Sequence, residues 1–254
     1  FGATNGQPAG TPFSAYELWK TDGTSEGTVL FKDLNSSARS FNPSRFVSMG
    51  GKLYFFATDA ASGTELWRSD GTEAGTVLVK DLTPGVGSRT VPTTGVAVVG
   101  GNTLYFALSK PDESYDLWKS DGTTAGTVVV GSAGGYISGF PVQPESFTAV
   151  GKTLYFVSGT LETGKELWKS NGTAAGTGIV KDIASGVGDS SPSDLTAVGN
   201  NLFFVARQNA EIGRELWRSN GTGTGTILMK DINTSGDNNA ASNLTAVGDT
   251  LYFT

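Results

Sequence analysis

The side chains from which most enzymes and metal sites are built are absent or scattered in this chain. It contains no histidine and no cysteine, which excludes imidazole, thiolate and disulfide chemistry. Carboxylates, hydroxyls, amides and five tryptophans remain, and they could serve three chemistries. Paired carboxylates facing one cavity could hydrolyse a glycosidic bond. Only Glu145 and Asp194 lie near the start of a short apolar run, and the runs FVSM, GVAVV, FTAV and LTAV hold no acid. Asp22, Asp70 and Asp121 could ligate calcium, but that ion takes about six to eight oxygens. Each of their loops offers one dependable carboxylate, and Asn171 and Asn220 stand in the same place elsewhere. Tryptophans could stack on sugar rings. They sit mid-strand opposite apolar residues, so they read as packing between sheets. The expectation is no catalytic residue, no metal, no cofactor and no enzyme.

The elements that hold these residues come from one repeated phrase. It reads ELWKTDGT at 17–24, ELWRSDGT at 65–72, DLWKSDGT at 116–123, ELWKSNGT at 166–173 and ELWRSNGT at 215–222. The tryptophans Trp19, Trp67, Trp118, Trp168 and Trp217 fall 48, 51, 50 and 49 residues apart. Such a period means one supersecondary unit copied five times. The 36 glycines among 254 residues suit short strands joined by tight turns.

In the second copy four strands can be read. Phe46–Met49 (a) and Leu53–Ala57 (b) flank Gly50-Gly51, and Glu65–Ser69 (c) and Thr76–Leu82 (d) flank the DGTEAG turn. Four strands per copy predict an all-β, five-bladed β-propeller with four antiparallel strands per blade. Asp or Asn in the turn bonds its own downstream backbone N–H, and Gly tolerates positive φ. Pairing Ser69 with Thr76 puts Trp67 opposite Leu78 and Glu65 opposite Lys80. Glu17–Lys32, Glu166–Lys181 and Glu215–Lys230 follow in the same register, while Asp116 faces Gly131. The expectation is a cross-strand ion pair, lost as a unit in the third copy.

Residues 1–254 are read as one domain. Blades cover about 46–82, 95–130, 147–183 and 195–232, and strands c and d at 17–34 are completed by strands a and b at 244–254. Two strands from each terminus would close the ring and leave no open edge. The chain opens on Phe1 and not Met, as expected of a processed product or an excised segment; no signal peptide is read.

The phrase, with its LVKD and LTAVG flanks, resembles the bacterial ELWxxDGT-repeat family, and the match covers almost the whole chain. The resemblance implies a secreted or cell-surface setting. It supplies no catalytic residue. The third copy departs most, with Asp116 for Glu and VVVGSAGG where others carry Lys-Asp.

The a–b and c–d turns are uniform among the copies, whereas the b–c loops vary: Ala3–Tyr16, Thr58–Thr64, Ser109–Tyr115, Ser158–Lys165 and Arg207–Arg214. Variable loops on a rigid scaffold are where binding is expected. The candidate ligand contacts are Phe13 and Tyr16, then Asp112, Glu113 and Tyr115, then Arg207, Glu211 and Arg214. Net charge is −6 with no basic stripe, so no nucleic acid is expected. No apolar run approaches a membrane span. The expected function is a non-catalytic binding, adhesion or scaffold propeller on a cell surface or in an extracellular assembly, with a protein or glycan partner. The alternatives are a lectin with repeated sites and, less in keeping with the acid-free strands, a five-bladed glycoside hydrolase.

Overall fold

A computed structural model describes residues 2–4, 16–32, 41–59, 62–84, 95–232, 234 and 241–254. Among them every regular element is a β-strand. Copies two to five each fold into one four-stranded antiparallel sheet in the order a-b-c-d. In the second copy these strands are Ser44–Met49, Lys52–Asp59, Gly63–Ser69 and Val77–Lys80. In the fourth they are Glu145–Val150, Thr153–Thr160, Gly164–Ser170 and Gly178–Lys181. Strands b and c run further into the b–c connection than expected, leaving residues 161–163 as the turn in the fourth copy. The chain divides into two compact units, residues 1–93 with 120–127, and residues 94–119 with 128–254.

The fifth sheet expected from 17–34 and 244–254 is not formed as one sheet. Gly2–Thr4, Tyr16–Lys20 and Val29–Lys32 form a three-stranded sheet in that order, and Thr245–Val247 pairs with Thr250–Tyr252 in a separate hairpin. The reason is legible in the residues. Gly2↔Leu18, Ala3↔Glu17 and Thr4↔Tyr16 repeat the register of Phe56↔Leu66, Ala57↔Glu65 and Thr58↔Thr64. FGAT thus takes the strand-b place beside the first strand c, within what was read as a loop.

The expected Glu–Lys pair is also overturned. Trp67 faces Leu78 as read, but Leu66, not Glu65, faces Lys80. A one-residue bulge between the leucine and the tryptophan of strand c, its extra residue on strand d, recurs in all five copies, as in Leu18↔Lys32, Leu117↔Gly131, Leu167↔Lys181 and Leu216↔Lys230. A bulge adds an unpaired residue and re-aims its neighbours. Freed from the glutamate, Lys80 donates to the Thr127 carbonyl at 2.7 Å and Lys181 to that of Thr226 at 2.9 Å. The glutamate turns instead to the backbone beyond strand d. Glu65 accepts from Leu82 N at 2.5 Å and Glu215 from Ile232 N at 3.0 Å. In the third copy the shorter Asp116 meets Lys110 at 3.6 Å.

Alternation along strands b and c gives each sheet two apolar faces. One presents Tyr of b and Leu of c; the other presents Leu and Phe of b and Trp of c. Within each unit the first face of one sheet packs on the second face of the next. Val150, Tyr155, Leu167 and Val180 thus meet Leu202, Phe204 and Trp217, and Tyr105 and Leu117 meet Leu154, Phe156 and Trp168. In the other unit Leu18 and Phe41 meet Phe55 and Trp67. The tryptophans are therefore packing residues, as the sequence suggested. Burial of such aromatic area, at about 25 cal/mol per Å², is the main force joining the sheets.

Candidate functional site

Every residue of the repeated phrase has a task within the fold. Asp70 Oδ1 accepts from Thr72 N (2.9 Å) and Thr72 Oγ1 (2.7 Å), and Thr72 Oγ1 accepts from Gly75 N (2.9 Å). Asn171 makes the same turn with Thr173 at 3.1 and 2.8 Å. The threonine hydroxyls hold the carboxyls of Asp22, Asp70 and Asp121 below their ordinary range. Gly75 must be glycine, since a Cβ there would fall 2.0 Å from Asp70 Oδ1. The expected turn chemistry is thus seen directly. Ser69 bonds Thr76 across the hairpin at 2.8 Å, as do Ser170 and Thr177 at 2.7 Å. In the second, third and fourth copies the cation after the tryptophan latches onto the turn of the following copy. Arg68 donates to the Gly122 carbonyl (3.1 Å), Lys119 to that of Gly172 (2.7 Å) and Lys169 to that of Gly221 (2.6 Å). The same glycines lie under the hydroxyls of Tyr54, Tyr105 and Tyr155. The c–d end of the sheets is used up by its own bonding.

The b–c end of the larger unit is different. Its loops and d-to-a crossovers, at 109–115, 133–144, 158–165, 182–192 and 207–214, are tied to one another by backbone and side-chain bonds. Tyr136 Oη donates to the Asp112 carbonyl, and Gly135 N donates to Gly159 O at 2.8 Å. Lys165 N donates to Asp189 Oδ1 at 2.7 Å, Ser190 N to Lys165 O at 3.0 Å and Arg207 N to Ser190 O at 2.9 Å. A short hairpin, Tyr136–Ile137 with Phe140–Pro141, is inserted here in the third crossover. Its residues carry no strand signal beyond the glycines around them.

Buried Glu166 anchors this end. It accepts from Ile183 N and Ala184 N at 3.1 Å, Ser190 N at 3.3 Å and Ser190 Oγ at 2.5 Å. Burial pushes its carboxyl up to about 7 against the pull of these donors. The crossover so fixed forms one wall of a cleft of about 490 Å³, lined by Ile183, Ala184, Ser185, Gly188 and Asp189 on one side and Arg207, Gln208, Asn209 and Ala210 on the other. Its lining carries a carboxylate, a guanidinium, two amides and a hydroxyl.

Of the expected contact residues, Arg207 and Arg214 are brought together as a cross-strand pair beside the cleft. Arg214 donates to Ser191 O at 2.9 Å and Ser193 Oγ at 2.7 Å. Burial lowers its pKa, countered by Asp194 and reinforced by Arg207. Glu211 is exposed on the same connection, its N–H bonded to Asn209 Oδ1 at 3.0 Å. Asp112 caps its loop through Ser114 N (3.0 Å) and Ser114 Oγ (2.7 Å), which hold its carboxyl low. Glu113 is exposed at φ 66°, in the left-handed region that non-glycine residues seldom adopt. Tyr115 is half-buried in strand c, against the core of its sheet. Tyr16 is exposed in a strand of the other unit, and Phe13 lies outside the described residues. The sequence reading missed Asp189, Gln208, Asn209 and Glu166. The first three are single-copy polar residues in Gly- and Asn-rich connections, and Glu166 was assigned to Lys181. Glu145 and Asp194 are the first and second residues of their a strands, near the strand start as read. Glu145 meets Lys165 at 3.4 Å, and Asp194 adopts φ 53° at a bulge.

No protein-family profile and no curated protein matches the chain. It is similar to solved structures of β-propeller proteins. Puromycin hydrolase, as an S511A mutant complexed with PGG, is 14% identical with a TM-score of 0.48, over 85% of this chain and 36% of that one. A TolB-type protein from Agrobacterium tumefaciens is 12% identical with a TM-score of 0.42, over 71% and 61%. Oligopeptidase B from Leishmania major is 13% identical with a TM-score of 0.41, over 72% and 26%. The chain thus spans between about a quarter and three fifths of their lengths. The expectation that it is no enzyme does not survive, because similar chains belong to peptidases. At these identities the likeness speaks for the fold and carries no activity over.

Proposed function

We propose that this chain belongs with the ELWxxDGT-repeat proteins and serves as a binding, adhesion or scaffold propeller of an extracellular or cell-surface assembly. Its contacts lie at the b–c end of the sheets. The carrying observation is the contrast between the two ends: the repeated phrase is consumed by turns and sheet-to-sheet latches, while the variable connections form one bonded surface with a cleft. Rigid scaffolds place recognition on such connections.

The finer architecture proposed is a five-bladed ring in which 244–254 complete one blade with 17–34 and with Gly2–Thr4, which continues its strand b. Three features favour it. Val247 and Tyr252 are 61% and 60% exposed, whereas Val99, Val198, Tyr105 and Tyr155 at equivalent places are at most 7%. The cluster of Val205, Leu216, Leu244 and Leu251 includes no tryptophan, unlike its counterparts. Arg218, at the position of the latching Lys169, has a buried Nε with no hydrogen-bond partner among the described residues.

A lectin is the second reading, favoured by the amides and carboxylate of the cleft. Parallel glycan and peptide arrays, run with calcium and with EDTA, test both. Saturable binding lost in the triple variant Phe140→Ser, Leu161→Ser, Val187→Ser, but kept in Thr72→Ser, is expected. Binding on neither array, or binding indifferent to the triple variant, contradicts the assignment.

A further inference from the structure

We infer that the b–c end of the larger unit is a docking surface for an extended polypeptide segment in which Lys or Arg alternates with apolar side chains. This rests on the assignment of binding to that end and names the partner class. Phe140, Leu161 and Val187 are 75%, 63% and 76% exposed, the largest exposures among the described large apolar residues. They stand on three different connections, the 133–144 crossover, the 158–165 loop and the 182–192 crossover. Those connections are joined: Gly135 N bonds Gly159 O (2.8 Å), and Ser190 N bonds Lys165 O (3.0 Å). The three apolar tips are therefore held on one surface and not on separately moving loops.

Charge selects the partner. On these connections the exposed charged side chains are Asp112, Glu113, Glu162, Asp182, Asp189 and Glu211, all acids. The four cations are half-buried: Lys110 meets Asp116 (3.6 Å), Lys165 meets Glu145 (3.4 Å), Arg214 donates to Ser191 O (2.9 Å), and Arg207 lines the cleft beside Asp189. Apolar tips set among uncompensated carboxylates complement a segment that is both cationic and apolar, and repel nucleic acid and acidic glycans. Two of the tips, Leu161 and Val187, are aliphatic and lack the flat aromatic face that sugar stacking uses, which favours a polypeptide over a neutral glycan.

The test uses the whole chain and three short fluorescent peptides: one of Lys, Phe and Ser, one of Lys and Ser, and one of Glu, Phe and Ser. Fluorescence anisotropy is expected to show saturable binding of the first alone, weakening as salt rises. Phe140→Ser, Leu161→Ser, Val187→Ser together are expected to weaken it at least about tenfold. Glu113→Gln, Glu162→Gln, Glu211→Gln together are expected to weaken it and flatten the salt dependence. Thermal unfolding of each variant shows that the fold is retained. No binding of the first peptide, equal binding of the Lys–Ser peptide, or indifference to both variants overturns the inference. Array binding to a glycan that the apolar variant abolishes, with no peptide bound, overturns the polypeptide partner and leaves the assignment of the b–c end intact.

Discussion

Glu166 is the residue whose chemistry reaches furthest, because one buried carboxylate fixes the crossover that walls the cleft. Its folded pKa of about 7 lies above the ordinary value of 4.5. Between those values the native chain holds a proton that the unfolded chain has released. Glu166 therefore lends stability at the acid side of this window and loses it as pH rises through it. Denaturant midpoints measured from pH 4.5 to 8 should fall less steeply with pH in Glu166→Gln than in the wild type; parallel curves would mean that Glu166 titrates normally. The turn residues follow a different rule. Asp70→Asn should be silent in stability, as Asn171 already makes the same bonds. Gly75→Ala should cost about 1–3 kcal/mol by overpacking against Asp70, read as a shift in urea midpoint.

At the scale of the element, the bulge beside each tryptophan decides where the charges go. The even alternation of strands c and d made Glu65 and Lys80 look like neighbours, and one extra residue separates them. Such a bulge leaves no composition signal of its own, since its extra residue, Val79, only continues the apolar run of Val77 and Leu78. A double-mutant cycle on Glu65 and Lys80 should be additive within about 0.5 kcal/mol; coupling well above that would restore the ion pair. Lys169→Met should cost about 1–2 kcal/mol, the loss of a charged hydrogen bond to the Gly221 carbonyl, and a smaller change in urea midpoint would make the latch incidental. Strand order, the Trp67–Leu78 pairing and the Asp/Asn turn were all legible in the repeat, because local turn chemistry and the two-residue period of a strand set them. The cleft was not. It arises where the Ile183–Asp189 crossover meets the Arg207–Ala210 connection, segments distant in sequence and without a repeated pattern.

For the molecule as a whole, a repeated unit that buries its two faces only against other units gains stability from stacking. Removing Leu251–Thr254 strips Leu251 from its contacts with Val205 and Leu216 and should lower the melting temperature of the whole chain in one cooperative transition. An unchanged melting curve would speak against the closed ring. The proposed reading divides the ends of the sheets: the c–d end holds copies together and the b–c end would meet the partner. Amide hydrogen exchange with and without the Lys–Phe–Ser peptide tests that division most directly. Added protection is expected at 109–115, 133–144, 158–165, 182–192 and 207–214. Protection confined to the turns at 121–127, 171–177 and 220–226 would place binding on the repeated phrase and contradict the account.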